Sequence, residues 1–258
     1  MYDADRDSLP FDASSVMLVT GASSGIGAAI ALRLNALGAT VIANGTDVSR
    51  LEDVRGRAEH LERFHLAPRD LLEDIPGLAS WVRELCLRHG ALGGLVCAAG
   101  RTETMPLAGY ERGRALALFD LLLHVPLELA KAVAHRRHCA AGLSIVFIAA
   151  AASVAPNKGQ LVYGAAKAAL VCAARCMSKE LAPRGIRVNC ISPGLVRTPM
   201  MEETVSLLGE DFLREEASRY PLGLGVPEDV AGLAAFLLSP SSRWMTGQNL
   251  LLDGGRLG

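Results

Sequence analysis

The sequence has few aromatic residues. Phenylalanine, tryptophan and tyrosine make up 5% of its 258 residues, whereas hydrophobic residues as a whole make up 50%. Small aliphatic side chains must therefore fill most of the interior, as they do where helices pack closely on a parallel sheet. The length is compatible with one domain of that kind.

The chain also lacks an excess of charge of either sign. Its formal net charge is −1, and its longest basic stretch covers residues 135–138. That stretch lies where a helix is expected to end, and positive charges there are stabilised by the helix dipole. We therefore expect no nucleic-acid partner.

Long apolar runs and paired cysteine spacings are missing as well. No uninterrupted apolar stretch is long enough to span a bilayer, and the residues before Val16 lack the apolar segment of a signal peptide. The six cysteines have no paired spacing and no matching Cys/His pair that would complete a metal site. These features predict a cytoplasmic protein with reduced, mostly buried thiols, no membrane partner and no metal.

What the sequence does contain is a regular alternation of strand and helix patterns. The predicted strands are 16–20, 40–43, 63–66, 95–98, 144–148, 186–191 and 249–252. The predicted helices are 26–37, 51–60, 78–88, 112–135, 163–181 and 230–238. Repeated βα units predict an α/β fold, a single doubly wound parallel sheet with helices on both faces. Ligands bind such sheets beyond the carboxyl ends of the strands.

Three further features complete this prediction. Pro126 is expected to bend the long helix or to be accommodated at a kink. A short extension, residues 1–14, precedes the single domain. Residues 198–220 lack a strand pattern and are predicted to form a helical flap over the site, a common position for substrate selection.

A glycine-rich loop joins the first strand to the first helix. It reads T-G-A-S-S-G-I-G over residues 20–27, so its glycines follow the pattern G-x-x-x-G-x-G. Glycine lets the backbone turn sharply and approach a pyrophosphate, and a helix N-terminus supplies free N–H groups and positive potential. Its position within a βαβ unit supports dinucleotide binding. The expected contacts are Gly21, Ser23, Ser24, Gly25, Ile26 and Gly27.

A tyrosine and a lysine are spaced for joint chemistry on the fifth predicted helix. Tyr163 and Lys167 are four residues apart and therefore share one helix face. A free tyrosine has a pKa near about 10, but a neighbouring positive charge stabilises its phenolate and lowers that pKa. Tyr163 is therefore a candidate for giving or taking a hydroxyl proton.

Together these motifs resemble those of the short-chain dehydrogenase/reductase family. The resemblance runs over nearly the whole chain and includes the glycine loop, Ala98-Ala99-Gly100, Y-x-x-x-K at 163–167, residues 187–194 with Thr198, and Asp253-Gly254-Gly255. It implies a Rossmann-like fold and NAD(P)-dependent interconversion of an alcohol and a carbonyl on a small molecule. Tyr163 would be the acid/base, Lys167 would also hold the ribose hydroxyls, and Asp70 would bind the adenine. The further contacts it implies are Thr46, Ala99, Gly100, Pro193, Gly194, Val196 and Thr198.

Two positions depart from the family pattern. The family's serine stands thirteen residues before the tyrosine, where this chain has Ala150, and its asparagine falls on Leu122. Loss of one donor to a developing oxyanion typically costs about 10²–10³ in rate. Three explanations are open: Ser153 acts as the third catalytic residue, the substrate carries its own donor, or the protein has little activity. In the last case it would bind a dinucleotide as a sensor or scaffold.

The residues that select the cofactor are equally unusual. The acid that would bind the ribose of NAD is expected at Gly45, and the arginine that would bind the phosphate of NADP is expected at Thr46. Asp47 is expected to cap the next helix rather than reach the ribose. Asn44, Thr46 and Arg50 are candidates for holding a phosphate, which slightly favours NADP(H) over NAD(H).

Two apolar surfaces are also expected. The resemblance implies pairing through the long helix and the tyrosine helix, and hence a homodimer or homotetramer. The apolar residues expected to form this subunit interface are Leu116, Leu118, Leu121, Leu122, Leu129, Ala169 and Cys172. In the flap, apolar residues could line the site, although we expect them to pack against the core. They are Met200, Met201, Val205, Leu207, Leu208 and Phe212.

Overall fold

One parallel sheet organises the chain. The computed structural model describes residues 11–202 and 209–257, without the side chains of Glu210 and Phe212. Within these residues, seven strands form one sheet in the order β3-β2-β1-β4-β5-β6-β7, and all neighbouring strands are parallel. The strands are β1 (Val16–Thr20), β2 (Thr40–Ala43), β3 (Phe64–Leu66), β4 (Leu92–Cys97), β5 (Cys139–Ile148), β6 (Arg187–Pro193) and β7 (Asn249–Leu252). The predicted fold class is confirmed.

Helices cover both faces of this sheet. They are α1 (Gly25–Ala36), α2 (Val48–Arg55), α3 (Leu78–His89), α4 (Arg112–Phe119), α5 (Val125–Val133), α6 (Leu161–Leu181), α7 (Glu210–Ala217) and α8 (Pro227–Leu238). Helices α1 and α8 pack on one face, and α3, α5 and α6 pack on the other. The order of the strands reverses between β1 and β4, which opens a crevice at their carboxyl ends.

The strands are apolar along their whole length because both faces are covered. In β1, Leu18 packs into the cluster beneath α3 and α5, and its neighbour Val19 packs into the cluster beneath α1 and α8. Both side chains are fully buried. Phe11, which falls within the predicted N-terminal extension, is also buried in the second cluster. The core therefore begins before the first strand.

The long helix is not uniform. Between α4 and α5 the chain forms a π-helical turn, Asp120–His124, and Pro126 lies in the first turn of α5. Proline has no N–H to donate and its ring crowds the carbonyl four residues earlier, so a locally widened turn accommodates it. The predicted irregularity is present, but the helix ends at Val133 rather than at residue 135.

Some predicted boundaries were wrong. β4 begins at Leu92 and β5 at Cys139, which pair with each other before a register shift that precedes Gly94. This bulge hides the start of both strands, since the adjacent glycines interrupt the apolar pattern. Helix α2 covers Val48–Arg55 instead of 51–60, because Asp47 caps its start and Gly56 ends it.

The predicted subunit surface needs correction. Leu118, Leu122 and Leu129 are buried within this chain and cannot supply an intersubunit face. Leu116 on α4 and Leu161 on α6 are exposed. Two cysteines, Cys172 and Cys176, are likewise exposed on α6, contrary to the expectation of mostly buried thiols.

Helix α6 has one more property. It is the helix that, among the described residues, is long and apolar enough to cross a membrane by length and composition. Leu170, Val171 and Ala174 on its inner face belong to the hydrophobic cluster on the sheet. This is the arrangement of a core helix in a globular domain.

The sheet core supports a prediction about stability. Leu18→Ala removes a fully buried side chain from the central strand and should lower the free energy of unfolding by about 2–5 kcal/mol, because a cavity is left behind. Urea unfolding followed by circular dichroism measures this loss. Leu87 on α3 is 80% exposed, so Leu87→Ala should change the free energy by less than about 0.5 kcal/mol. Equal effects of the two changes would contradict the assigned core.

Candidate active site

A cavity of about 600 Å³ opens at the carboxyl ends of the strands. The predicted contacts of the glycine loop and those implied by the family resemblance all line it, from Gly21 in the loop to Thr198 after β6. These residues come from six separate segments of the chain. The crevice where the strand order reverses brings them to one place.

The glycine loop lies too close to its neighbours for side chains. Gly21 has φ +66°, and a Cβ on it would lie 2.7 Å from the backbone of Ala99. A Cβ on Gly27 would overlap the carbonyl oxygen of Gly21. The loop is therefore pressed against the turn after β4 and against itself, which leaves backbone as the surface facing the cavity.

The amino end of α1 opens into this cradle. The helix begins at Gly25, and the Ser24 side chain makes no capping hydrogen bond within the described residues. The first N–H groups of a helix have no partner inside the helix. Since Gly25, Ile26 and Gly27 line the cavity, these donors fit the pyrophosphate of a dinucleotide.

Polar side chains around the loop hold the neighbouring turns. Thr20 Oγ1 accepts hydrogen bonds from the backbone N–H groups of Ala98 and Ala99, each at 3.2 Å. Asn44 Nδ2 donates to the carbonyl oxygens of Ala67 and Arg69 at 2.9 and 3.1 Å. Asn44 is buried and committed to these bonds, so its proposed role in holding a phosphate was wrong.

Asp47 and Arg50 are also not positioned to hold a phosphate. Asp47 Oδ1 accepts a hydrogen bond from the backbone N–H of Arg50 at 3.0 Å, which confirms Asp47 as the cap of α2. The Arg50 side chain forms an ion pair with Asp47 at 3.3 Å and does not line the cavity. The prediction that Arg50 holds a phosphate was therefore wrong.

An arginine that the sequence analysis missed stands at this end of the cavity. Arg69 lines the cavity together with Thr46 and Ser23. Its guanidinium lies 5.8 Å from the centre of the Trp81 ring and 3.6 Å from the Asp74 carboxylate. Its buried Nε has no hydrogen-bond partner among the described residues. The signal that could have identified Arg69 is its place in the sequence, directly before Asp70.

The tyrosine and lysine lie together at the other end. Lys167 is buried, and its Nζ donates a hydrogen bond to the carbonyl oxygen of Ile148 at 2.7 Å. The same Nζ lies 5.9 Å from the centre of the Tyr163 ring. The arrangement fixes the ammonium group beside the tyrosine at the carboxyl end of β5.

Burial controls the ionisation of both groups. It raises the pKa of Tyr163 to about 12 and lowers the pKa of Lys167 to about 8. The expectation that the lysine would lower the tyrosine pKa is therefore wrong for the protein alone, because loss of hydration disfavours the phenolate. Tyr163 is protonated at neutral pH and is prepared to donate a proton.

The floor of the cavity beside Tyr163 is apolar. Ala149 to Ala152 line it, and Ala150 has an extended backbone before a short 3-10 turn at Ala151–Ser153. Ser153 does not line the cavity; its Oγ lies 3.3 Å from Ser192 Oγ, which donates to Asn249 Oδ1. This position does not favour Ser153 as the replacement for the missing serine.

Leu122 extends the apolar floor from the opposite side. It lies in the π-helical turn, and a Cβ added to Gly100 would lie 3.1 Å from Leu122 Cδ2. No donor stands at this position, where an asparagine was expected. The direct bond from Lys167 to Ile148 supplies the hydrogen-bond partner of the ammonium group instead.

Several polar residues line the cavity that no sequence motif indicated: Asn157, Gln160, Glu216, Tyr220 and Arg256. Tyr220 Oη accepts a hydrogen bond from the backbone N–H of Leu195 at 2.9 Å, which fixes the turn after β6. Gln160 lies one helical turn before Tyr163, a spacing that could have identified it. The others come from distant segments and carry no such signal.

The flap residues are placed only in part. Met200 and Met201 line the cavity, so the preference for core packing was wrong for these two side chains. Val205, Leu207 and Leu208 lie outside the described residues, as does the side chain of Phe212. The described flap residues therefore add an apolar wall to the alanine floor.

The sequence of the chain is similar to a family model and to known reductases. A family model described as enoyl-(acyl carrier protein) reductase matches residues 21–256. The chain is similar to the 3-oxoacyl-(acyl-carrier-protein) reductase FabG of Thermotoga maritima, with 33% identity over 93% of this chain and 96% of the relative. It is 34% identical to the short-chain reductase protein NovJ of Streptomyces niveus, over 94% of each chain.

Solved structures agree with these relatives. A short-chain dehydrogenase from Burkholderia cenocepacia J2315, crystallised in complex with NADP, superposes with a TM-score of 0.86. The two chains are 31% identical, and the match covers 98% of this chain and 100% of the other. The similarity therefore includes the whole sheet and both helical layers.

The glycine loop generates a test of cofactor binding. Gly27→Val places a side chain against the Gly21 carbonyl, so dinucleotide affinity should fall by at least about 100-fold while the chain remains folded. NADPH fluorescence titration measures affinity, and circular dichroism checks the fold. Gly232→Ala on α8, where a Cβ meets no atom within 4 Å, is the control and should bind NADPH as the parent does. Unchanged NADPH binding by a folded Gly27→Val protein would overturn the cofactor site.

Proposed function

The chain belongs to the short-chain dehydrogenase/reductase family, and we propose that it is an NADP(H)-dependent reductase that interconverts a carbonyl and an alcohol in this cavity. The observation that carries the proposal is the pair Tyr163 and Lys167. Both line a cavity whose other end is formed by a glycine cradle open to backbone donors. A proton donor and a dinucleotide site thus lie in the same cavity.

NADP(H) is the cofactor we propose, because Asp47, the first acid after β2, does not line the cavity. Asp47 is used by the cap of α2, which removes the acid that would bind the ribose hydroxyls of NAD. Ser23, Thr46 and Arg69 line the cavity there and offer hydroxyl and guanidinium donors suited to a phosphate. The Burkholderia neighbour with bound NADP supports the same assignment.

The proposed chemistry uses Tyr163 as a general acid. When bound, NADPH supplies the hydride that the carbonyl carbon accepts. Tyr163 donates its proton to the carbonyl oxygen, and the reverse transfer serves alcohol oxidation. The Lys167 ammonium stabilises the tyrosine phenolate left behind, and its bond to Ile148 keeps it in place. The alanine floor excludes water from the reacting atoms.

We propose a 3-oxoacyl compound as the substrate class. The FabG relative bears that substrate in its name, and the cavity wall beside Tyr163 is apolar in keeping with an acyl chain. The wall is formed by Leu121, Leu122, Met200 and Met201. Residues 198–220 would then be the substrate flap of a single catalytic domain.

Assembly and location complete the proposal. Leu116, Leu161 and Cys172 leave apolar surface exposed on α4 and α6, which supports a homodimer or homotetramer built through these helices. We assign the protein to the cytoplasm, since its relatives are metabolic reductases by name. A sensor or scaffold without turnover would account for Ala150 and Leu122, but relatives named as reductases do not favour it.

The role of Tyr163 can be tested directly. Tyr163→Phe removes the proton donor and should lower NADPH-dependent reduction of ethyl acetoacetate by about 10²–10⁴-fold, with NADPH affinity retained. Tyr110 is exposed outside the cavity, so Tyr110→Phe is the matched control and should keep the parental rate. Equal activity of the Tyr163→Phe protein and the parent would exclude the proposed acid.

The pH dependence should follow Lys167. Burial lowers the pKa of Lys167 to about 8, so the stabilising charge is present below that pH and is lost as the pH rises through it. The nearby Cys97 and Cys190 thiols stay neutral there because burial raises their pKa. We expect kcat/KM for carbonyl reduction to be level near pH 6–7 and to fall above about pH 8. Lys167→Met should be slow at every pH, and a parental profile level to pH 10 would contradict the assignment.

A further inference from the structure

We propose that the side-chain amide of Gln160 donates the hydrogen bond to the substrate carbonyl oxygen that Ala150 cannot supply. This inference rests on the proposed reductase function and assigns a second donor beside Tyr163. The alanine floor leaves the oxyanion with one protein donor, the tyrosine hydroxyl, unless another residue supplies a second. Gln160 is the residue whose geometry fits that requirement.

Gln160 is close to the acid in sequence and lines the same cavity. It is the N-cap residue of α6 and precedes Tyr163 by three positions, about one helical turn. Both line the cavity. A Cβ on Gly164, in the same helical turn, would lie 3.1 Å from the Ala152 carbonyl oxygen, which places this turn directly against the alanine floor.

The orientation of the amide follows from its one hydrogen bond. The backbone N–H of Asn157 donates to Gln160 Oε1 at 2.8 Å. An N–H requires an acceptor, so the oxygen is fixed towards Asn157 and the NH₂ group points away from it. Among residues 11–202 and 209–257, no atom accepts a hydrogen bond from that Nε2. A half-buried donor in a cavity is therefore left for a ligand.

The backbone that carries this amide is held on both sides. The N–H of Gln160 donates to Asn157 O at 3.1 Å, and the N–H of Gly164 donates to Gln160 O at 2.7 Å. The preceding Gly159, with φ +81°, has its carbonyl bound by the N–H of Met105 at 2.7 Å. A donor fixed before the substrate arrives stabilises developing negative charge without a cost of reorganisation.

Other polar groups of the cavity fit less well. Ser153 is turned towards Ser192, and Asn157 is exposed at the rim. Tyr220 lies across the cavity, where its hydroxyl accepts the Leu195 N–H and its ring is close to Gly194. Unlike these residues, Gln160 combines a free donor with a position in the cavity about one turn before Tyr163.

The experiment uses the full chain with NADPH and ethyl acetoacetate. Gln160→Met keeps the length of the side chain but removes its donor, and should lower kcat by about 10²-fold. NADPH affinity, measured by fluorescence, should stay within about twofold of the parent. Tyr220→Phe is the control for a different polar residue in the cavity and should cost less than Gln160→Met. Adding Ala150→Ser to Gln160→Met should restore at least tenfold, because the new hydroxyl replaces the lost donor.

A second variant separates donation from a structural role. Gln160→Glu keeps an oxygen for the Asn157 N–H, but it donates to the substrate only when the carboxyl is protonated. As the pH falls, its activity should rise and exceed that of Gln160→Met. If Gln160 only closes the turn, Gln160→Glu should match the parent at neutral pH. If protonation of Gln160→Glu only removed a negative charge, the activity of this variant at low pH would approach that of Gln160→Met without exceeding it.

A binding measurement keeps this inference separate from the proposed function. Calorimetry with NADP⁺, which has no hydride to give, reports ethyl acetoacetate binding without turnover, and Gln160→Met should weaken it by about tenfold or more. If the parent binds the ketoester but does not reduce it, the proposed reductase function is overturned. The role of Gln160 is then decided by whether Gln160→Met weakens ketoester binding. Equal kcat and equal ketoester affinity in Gln160→Met and the parent would overturn the role of Gln160. A parent that neither binds nor reduces the ketoester would overturn both.

Discussion

A buried ammonium group must find hydrogen-bond acceptors inside the protein, and Lys167 finds one in the carbonyl oxygen of Ile148. Ile148 ends β5, so this bond ties the middle of α6 to the carboxyl end of the sheet. Tyr163, four residues earlier on the same face, is thereby held over the cavity. The position of Tyr163 beside the alanine floor follows from this contact.

The same contact bears on the two changed family positions of the proposed active site. The ammonium group is bound by the main chain directly, so the loss of an asparagine at Leu122 does not leave it without a partner. Burial then lowers the pKa of Lys167 to about 8 and raises the pKa of Tyr163 to about 12, which keeps the tyrosine protonated for reduction. The change at Ala150 has a different consequence, because it removes a donor to the substrate and makes the free amide of Gln160 significant.

Much of the fold and the cofactor end of the site could be predicted from the sequence. The apolar strands and the glycine loop are local patterns, so β1, β2 and β7 were placed at their observed ends, and the loop residues predicted as contacts all line the cavity. Predictions failed where a side chain had two possible partners. Asn44 donates its amide hydrogens to the turn after β3 rather than to a phosphate, and Ser153 faces Ser192.

The sequence alone determined the alternation of strands and helices, the glycine cradle and the shared face of Tyr163 and Lys167, because each depends on residues close together in the chain. Only the tertiary structure decided which side chains enter the cavity, how burial shifts their pKa values, and that Arg69, Gln160 and Tyr220 join the site. These properties depend on contacts between segments distant in sequence. Hydration and hydrogen-bond partners are set by the packing of those segments, and a local pattern carries no record of them.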